Sequence, residues 1–242
     1  MGEKVKGGKN VYGLSIGILM LETRTPRIPG DIGNATTWDF PVVYRIVKGA
    51  LPTRIVKEAD PKLLKPFIEA AQDLEKLGVK AITTCCGFFA IFQKEMTEAV
   101  TIPVFTSSLI QVPLVYRMLK SNQKVGIITA DSSSLSKKHL ACVGADSIPT
   151  AIIGTEEEEF SKVFVGNEPA LDVEGARNTL VNTARRLISK HPEVGAIVLE
   201  CTNMPPYAKS IQEEVNLPVF DIYTLTNMVY STLVRKDFTG LM

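Results

Sequence analysis

Histidine, cysteine and tryptophan are scarce in this sequence. Among 242 residues there are 2 histidines, 4 cysteines and 1 tryptophan. The histidines, His139 and His191, leave little scope for Ser-His-Asp hydrolysis or a histidine-rich metal site. The cysteines show no CxxC or paired Cys/His spacing and are too few for a disulfide scaffold of this length. We therefore expect no bound metal, and reduced thiols in a cytoplasmic protein.

The sequence also lacks an excess of either charge and a long apolar run. Its 27 Lys and Arg residues oppose 26 Asp and Glu residues, for a net charge of +1. Nucleic acids and anionic membranes favour a basic surplus, so we expect neither as a partner. No apolar run reaches the roughly 18–20 residues of a membrane span, and the polar N-terminus does not resemble a signal peptide. Because dinucleotide and Walker fingerprints are missing as well, we expect no cofactor.

Apolar, β-branched runs alternate with amphipathic segments along the chain. The runs predict strands at 15–21, 80–84, 103–106, 124–129, 151–153, 196–199 and 218–222. Apolar residues at helical spacing predict helices at 61–77, 88–100, 109–120, 135–143, 174–190, 206–215 and 225–234. This alternation is typical of α/β proteins with parallel sheets built from βαβ units.

An internal repeat divides the chain into two halves. Residues 79–105 align without a gap with residues 194–220, and 10 of the 27 positions are identical. We predict two similar Rossmann-like or flavodoxin-like domains, related by a pseudo-two-fold axis, with a cleft between them. The predicted first domain spans 1–120 and the second 121–224, and a C-terminal helix within 225–242 is expected to pack on the first.

The repeat distinguishes Cys86 and Cys201 from the other cysteines. Each stands at the end of a predicted strand and just before a predicted helix, where parallel sheets bind ligands. A helix N-terminus would lower the pKa of such a thiol towards neutrality. Cys85 aligns with Glu200, and Cys142 has no cysteine partner in the repeat, so we expect both to be packing residues. Packing is also the alternative for Cys86 and Cys201.

The segments CG at 86–87 and CTNMP at 201–205 resemble the aspartate/glutamate/hydantoin racemase superfamily, and the resemblance extends from about residue 15 to the C-terminus. It implies two domains around a cleft and catalysis by two cysteines without pyridoxal phosphate or metal. One thiol would remove a proton from one face of a carbon while the other returns a proton to the opposite face. Gly-Phe at 87–88 replaces the Asn-Thr usual in the family, and the loop 26–34 also differs, which disfavours aspartate and glutamate as substrates.

The resemblance also implies substrate contacts around the two thiols. Backbone N–H groups after each cysteine would stabilise developing negative charge. The loop 129–134 would contact the substrate, and it also suits the N-cap of the helix expected at 135. Arg27 suits a carboxylate, or is an ordinary surface charge. The predicted binding residues are Gly87, Phe88, Thr202, Asn203, Ser132, Ser133, Arg27 and Asn34.

These observations favour a cofactor-independent racemase for an amino acid or a related carboxylate or hydantoin. Decarboxylation of the arylmalonate decarboxylase type, which needs one cysteine, and maleate cis–trans isomerisation, which uses two, are alternatives within the superfamily. A non-catalytic small-molecule-binding protein is another. The vicinal pair Cys85-Cys86 is the only argument for a thiol redox protein. The expected partner is a small-molecule carboxylate, and assembly into a homo-oligomer stays open.

Overall fold

Two parallel four-stranded sheets form the framework of the protein, whose computed structural model describes residues 4–240. The first sheet has the order β2-β1-β3-β4 and the second the order β6-β5-β7-β8. The strands are β1 (Ile16–Leu21), β2 (Val42–Val47), β3 (Ala81–Thr84), β4 (Val104–Phe105), β5 (Lys124–Thr129), β6 (Thr150–Gly154), β7 (Val194–Leu199) and β8 (Val219–Phe220). Counted within each half, the two orders are the same. The predicted α/β fold of two similar parallel-sheet units is confirmed.

Helices connect the strands in both halves. They are α1 (Pro52–Val56), α2 (Leu64–Leu77), α3 (Gln93–Glu98), α4 (Val112–Tyr116), α5 (Lys137–Cys142), α6 (Glu159–Gly166), α7 (Val173–Lys190), α8 (Ala208–Val215) and α9 (Ile222–Leu233). Short 3₁₀ helices occupy Ala35–Thr37, Pro61–Leu63, Gly87–Phe92, Ser108–Gln111 and Pro205–Tyr207. None of the helices in residues 4–240 is both long and apolar enough to cross a membrane.

Three elements were not predicted from the sequence. Strand β2 pairs only with β1 and is half exposed, so it lacks the continuous burial of the central strands. Helix α1 has only five residues. Helix α6 starts at the end of the acidic run 156–159 and buries Phe160, Val163 and Phe164.

Matching glycines let one helix approach the sheet closely in each half. A Cβ at Gly17 of β1 would lie 2.8 Å from the Leu74 side chain of α2, and a Cβ at Gly126 of β5 would lie 2.8 Å from Leu187 of α7. Real Cβ atoms do not approach so closely, so a side chain at either position would force the neighbouring leucine to shift. The same close contact between a central strand and a helix therefore recurs in the two halves.

The C-terminal helix starts three residues before the predicted range 225–234 and ends one residue before its end. It occupies Ile222–Leu233, and the rest of the segment to residue 240 has no regular structure, while 241–242, like residues 1–3, lie outside the described residues. Helix α9 packs on the first half, where the Tyr230 ring stacks on Phe40 with centroids 3.8 Å apart. Gln111 of the first half donates to the carbonyl of Asp221, the N-cap of α9, at 2.9 Å.

Candidate active site

A pocket with about 420 Å³ of empty space lies between the carboxyl ends of the strands of the two sheets. Residues from both halves line it, and we call it the interdomain pocket. Seven of the ten predicted site residues belong to its wall: Arg27, Cys86, Gly87, Phe88, Cys201, Thr202 and Asn203. Pro52 and Val56 of α1 and Phe164 and Val165 of α6 complete an apolar side. The pocket therefore brings together groups that are more than 170 residues apart in the chain.

Cys86 and Cys201 occupy equivalent positions, each two residues beyond the end of a strand. Both are partly buried free thiols. The following α-helices, α3 and α8, begin only seven residues later, at Gln93 and Ala208, after 3₁₀ turns. Neither cysteine therefore lies at the N-terminus of an α-helix, contrary to the prediction from the sequence.

The electrostatics of the thiols also differ from the prediction. Burial raises the pKa of both Cys86 and Cys201 well above the usual value for a thiol, and the nearby carboxyl of Glu200 raises each further. The backbone N–H groups of Phe88 and Asn203, which are equivalent in the repeat, act in the opposite direction but do not compensate. Both cysteines are thus protonated at neutral pH in this structure.

Arg27 presents a partly buried guanidinium to the pocket. Its side chain is 17% exposed, and its Nη1 lies 3.0 Å from Asp31 Oδ1 while Nη2 donates to Thr23 Oγ1 at 2.9 Å. Burial lowers the pKa of Arg27, but the charge and hydrogen bond of Asp31, together with the nearby Cys85 and Cys201, more than offset this effect, and the pKa is raised. A fixed, permanently charged guanidinium beside two thiols is well suited to hold a carboxylate.

Asp31 was not predicted as a site residue, and it connects Arg27 to the second half. It is 1% exposed, accepts from the Gly33 N–H at 2.7 Å and receives the Asn203 side-chain N–H at 2.7 Å. Asn203 Oδ1 in turn accepts from the Cys201 thiol at 3.4 Å. A chain of polar contacts therefore runs from the guanidinium of one half to the thiol of the other.

Glu200 is the second unpredicted group of the site. It lines the interdomain pocket and is fully buried. Thr129 Oγ1 donates to its Oε2 at 2.7 Å, whereas Oε1 has no hydrogen-bond partner among the described residues. Burial raises the pKa of Glu200 to about 7, although hydrogen bonds from Thr129 and the Ala130 backbone oppose the shift. The sequence carried one indication of this site residue, which is an acidic residue directly after an entirely apolar strand.

Cys85 and Cys142 have other partners. Cys85 accepts the Leu21 N–H on its sulfur at 3.0 Å, and its carbonyl accepts the Thr202 hydroxyl at 2.5 Å. Cys85 is also one of the residues that line the interdomain pocket, but it is only 4% exposed. The Cys142 thiol donates to the Ile91 carbonyl at 3.3 Å, and Cys142 is not part of the pocket lining.

Three predicted binding residues are not part of the pocket wall. Ser132 donates to Glu156 Oε1 at 2.5 Å and Ser133 to Asp131 Oδ1 at 2.6 Å. Asn34 caps the 3₁₀ helix Ala35–Thr37 and donates to the Arg27 carbonyl at 2.8 Å. The loop 129–134 does not cap the next helix either, because α5 begins at Lys137 and has Ser136 as its N-cap. Within residues 4–240, His, Cys, Asp and Glu form no cluster that could hold a metal ion.

Comparisons with known proteins agree with this fold. The family model described as Asp/Glu/Hydantoin racemase matches residues 47–226. A dimethylsulfoniopropionate lyase of Durusdinium sp. clade D is 33% identical over 240 residues, covering 96% of this chain and 79% of the relative. Dimethylsulfoniopropionate lyase 3 of Emiliania huxleyi is 31% identical over 238 residues, covering 94% of this chain and 62% of the relative. The chain thus spans less than two thirds of the latter protein.

Solved structures share the fold at lower identity. A point mutant of arylmalonate decarboxylase with associated sulfate superposes with a TM-score of 0.61 at 17% identity, covering 90% of this chain and 92% of the other. Glutamate racemase from Francisella tularensis in complex with D-glutamate gives a TM-score of 0.53 at 18% identity, covering 91% of this chain and 81% of the other. The superfamily predicted from the sequence is confirmed, while the relatives compared by sequence are named as lyases and not as isomerases.

Proposed function

Because the chain belongs to the Asp/Glu/hydantoin racemase family, we propose that it removes a proton from the carbon next to a carboxylate. The observation that carries this proposal is the presence of two thiols and a partly buried guanidinium in one pocket. Arg27 would hold the carboxylate, and Cys86 or Cys201, once ionised, would accept the proton. Such a carbon acid is weak, so donors must stabilise the charge that develops on the carboxylate.

The substrate class we propose is a carboxylate with a sulfonium group on the β-carbon, such as dimethylsulfoniopropionate. Two relatives more than 30% identical to this chain are named as lyases of that compound. A cysteine thiolate would remove a proton from C2, and the electron pair would form the C2–C3 double bond while the C3–S bond breaks. The products are acrylate and dimethyl sulfide, and the proton passes from the cysteine to solvent.

Because thiols with raised pKa values are protonated at neutral pH, forming the thiolate is a separate requirement of this proposal. The positive charges of Arg27 and of a bound sulfonium both favour an ionised thiol nearby. We therefore propose that ionisation accompanies substrate binding. A single cysteine suffices for the elimination, since no proton has to return to C2.

Racemisation is the second candidate, and the equivalent placement of the two cysteines favours it. Cys86 and Cys201 line the pocket from different halves, so each face of a bound carbon would have a thiol. In that reaction the second cysteine returns a proton to C2, and no group leaves from C3. A substrate without a β-leaving group would allow only this outcome.

The test is a product analysis with cysteine variants. The purified protein is incubated with dimethylsulfoniopropionate, and dimethyl sulfide is measured in the headspace while acrylate is measured in solution. Equal amounts of the two products support the elimination. The same samples in heavy water, together with a panel of amino acids and hydantoins, reveal deuterium at the α-carbon and inversion.

Cys86→Ser and Cys201→Ser should each be compared with Cys142→Ser, a cysteine outside the pocket. Inversion without cleavage would support the racemase instead. Carbon dioxide release from an arylmalonate would indicate the decarboxylase. Binding of a carboxylate without exchange or products would show a non-catalytic binding protein and contradict the proposal.

A further inference from the structure

We propose that Glu200 receives a cationic group of the ligand, so that the interdomain pocket selects carboxylates that also carry a sulfonium or quaternary ammonium group. The inference rests on the proposed function in one respect, since it takes the interdomain pocket to be the substrate site. It does not depend on the lyase step. It assigns to Glu200 a role in specificity.

The carboxyl of Glu200 has an unused oxygen. The residue is 0% exposed, its Oε2 is occupied by the Thr129 hydroxyl at 2.7 Å, and its Oε1 lacks any partner among the described residues. No lysine or arginine of residues 4–240 forms an ion pair with it. Burying a carboxylate without a compensating charge is costly, and a cation bound in the pocket would supply that compensation.

The charges of the pocket wall are arranged for a ligand with two opposite ends. Arg27 enters from the loop after β1 in the first half, and Glu200 follows β7 in the second. Arg27 already has Asp31 as a counter-ion. A ligand carboxylate would therefore form hydrogen bonds to a guanidinium whose charge is already balanced. Glu200 has no such counter-ion, so the net charge of this set of three groups is negative when Glu200 is ionised.

Apart from the polar side chains of Thr23, Thr25, Thr202 and Asn203, the pocket has an apolar side that suits methyl groups. Pro52, Val56, Phe88, Phe164 and Val165 line the pocket with apolar surface. Sulfonium and quaternary ammonium groups carry no N–H, and they bind through charge, apolar contact and aromatic faces. A primary ammonium group would instead require several hydrogen-bond acceptors. The wall therefore favours a methylated cation.

Gly87 leaves room for the carboxyl in this position. A Cβ at residue 87 would collide with both the side-chain oxygen and the backbone carbonyl of Glu200. The free oxygen thus lies against the segment that carries Cys86. A cation at this place would be close to both thiols, where its charge also favours a thiolate.

The titration of Glu200 predicts that ligand selection depends on pH. The ionisable groups around Glu200 are Cys86 after β3, Asp131 after β5 and the adjacent Cys201, and Arg27 shares the pocket. Burial raises the pKa of Glu200 to about 7. Only the ionised carboxylate attracts a cation, so the preference for a cationic ligand should grow as the pH rises through neutrality.

The experiment compares two ligands of the same shape. These are 3-(trimethylammonio)propionate and 4,4-dimethylpentanoate, the carbon analogue that keeps the carboxylate but lacks the positive charge. Their affinities are measured by isothermal titration calorimetry between pH 5.5 and 8.5. At pH 8 the cationic ligand should bind about tenfold more tightly or better, which is what a charge pair near a protein surface can provide. At pH 5.5 the preference should largely disappear.

Glu200→Gln should abolish the preference at all pH values while leaving the affinity for the carbon analogue within about twofold. Glu156→Gln, which changes an acid outside the interdomain pocket, should behave like the unmodified protein. Circular dichroism checks that each variant is folded. If a variant does not fold, the comparison of the two ligands on the unmodified protein still tests the proposal.

Equal binding of the two ligands at pH 8 would overturn the proposal. So would a stronger preference for the cation at low pH, because Glu200 is uncharged there and could not be the group that attracts the cation. If the preference is present but dimethylsulfoniopropionate is not cleaved, the lyase function is wrong and the role of Glu200 stands. If dimethylsulfoniopropionate is cleaved but the preference is absent, the lyase function stands and the role of Glu200 is wrong.

Discussion

The Asn203 side-chain N–H donates to Asp31 Oδ2 at 2.7 Å and joins two residues that are 172 positions apart. This bond determines which end of the amide faces which neighbour. Because the amide nitrogen of Asn203 is held by the Asp31 carboxylate, its Oδ1 points to Cys201 and accepts a hydrogen bond from the thiol at 3.4 Å. The same carboxylate holds Arg27. Asp31 thus orients a charged group of one half and a thiol contact of the other.

Asp31→Asn should weaken this arrangement without removing the side chain. The variant loses the negative charge beside Arg27 and allows the Asn203 amide to turn. We expect kcat/KM for α-proton removal to fall about 10–100-fold, because hydrogen bonds to charged groups contribute about 1.5–3 kcal/mol each. Asp221→Asn is the matched control, since Asp221 is a buried acid that caps α9. Equal losses in both variants would mean that general destabilisation is responsible.

Cys86→Ser and Cys85→Ser should differ although the residues are adjacent. Both line the pocket, but Cys86 holds the position equivalent to Cys201, whereas the sulfur of Cys85 is engaged as the acceptor of the Leu21 N–H. A serine hydroxyl is a poor base without a histidine partner, so Cys86→Ser should lower kcat by about 10²–10⁴-fold, the usual contribution of a general base. Cys85→Ser should retain activity and lose stability. If activity survives in Cys86→Ser and not in Cys85→Ser, the assignment from the repeat is wrong.

Gly87→Ala should impair activity through Glu200. The new methyl group would collide with the backbone carbonyl of Glu200 as well as with its carboxyl, and the backbone cannot move away as a flexible side chain would. We expect kcat/KM to fall and the thermal midpoint to decrease, with about 1–3 kcal/mol of lost stability for a forced fit in a packed region. In Gly166→Ala the nearest atom, in Glu168, is 4.0 Å from the added Cβ. That variant should keep activity and unchanged or higher stability.

The stability contributed by Asp131 should depend on pH. Asp131 in the second half pairs with Lys57 in the first. Burial opposes its ionisation, but hydrogen bonds from Lys57, Ser133 and Ser134 prevail and lower the pKa of Asp131 to about 2. A lowered pKa in the folded state adds stability that is present above the ordinary value near 4 and is lost as the pH falls through about 2.

Asp131→Asn should therefore cost about 1–2 kcal/mol at pH 7, a value reduced for the exposure of Lys57. The difference from the unmodified protein should shrink between pH 5 and pH 2. Urea unfolding at several pH values measures it. Lys65→Met provides a control, because its ion pair with Glu69 is exposed and should contribute little at any pH. A cost for Asp131→Asn that is independent of pH would contradict the assignment.

Much of the fold could be predicted because its information is local. Buried parallel strands such as 124–129 and 194–199 are continuous apolar runs, and the helices between them have apolar residues at regular spacing. The repeat indicated that the two halves share one topology and distinguished Cys86 and Cys201 from the other cysteines. Strand β2 and the short helices α1 and α6 were missed because their patterns are brief or interrupted by exposed charges.

The sequence by itself determined the α/β class, the duplication and the position of the two thiols at equivalent strand ends. Tertiary structure decided which side chains contact each other. Asp31 meets Asn203 only because the two halves pack together. The same packing removes Glu200 from water and leaves its Oε1 without a partner. It also decided the direction of the thiol pKa values. Placement before a helix predicted a decrease, but burial depends on every surrounding residue, and the loss of hydration outweighs the nearby backbone N–H groups.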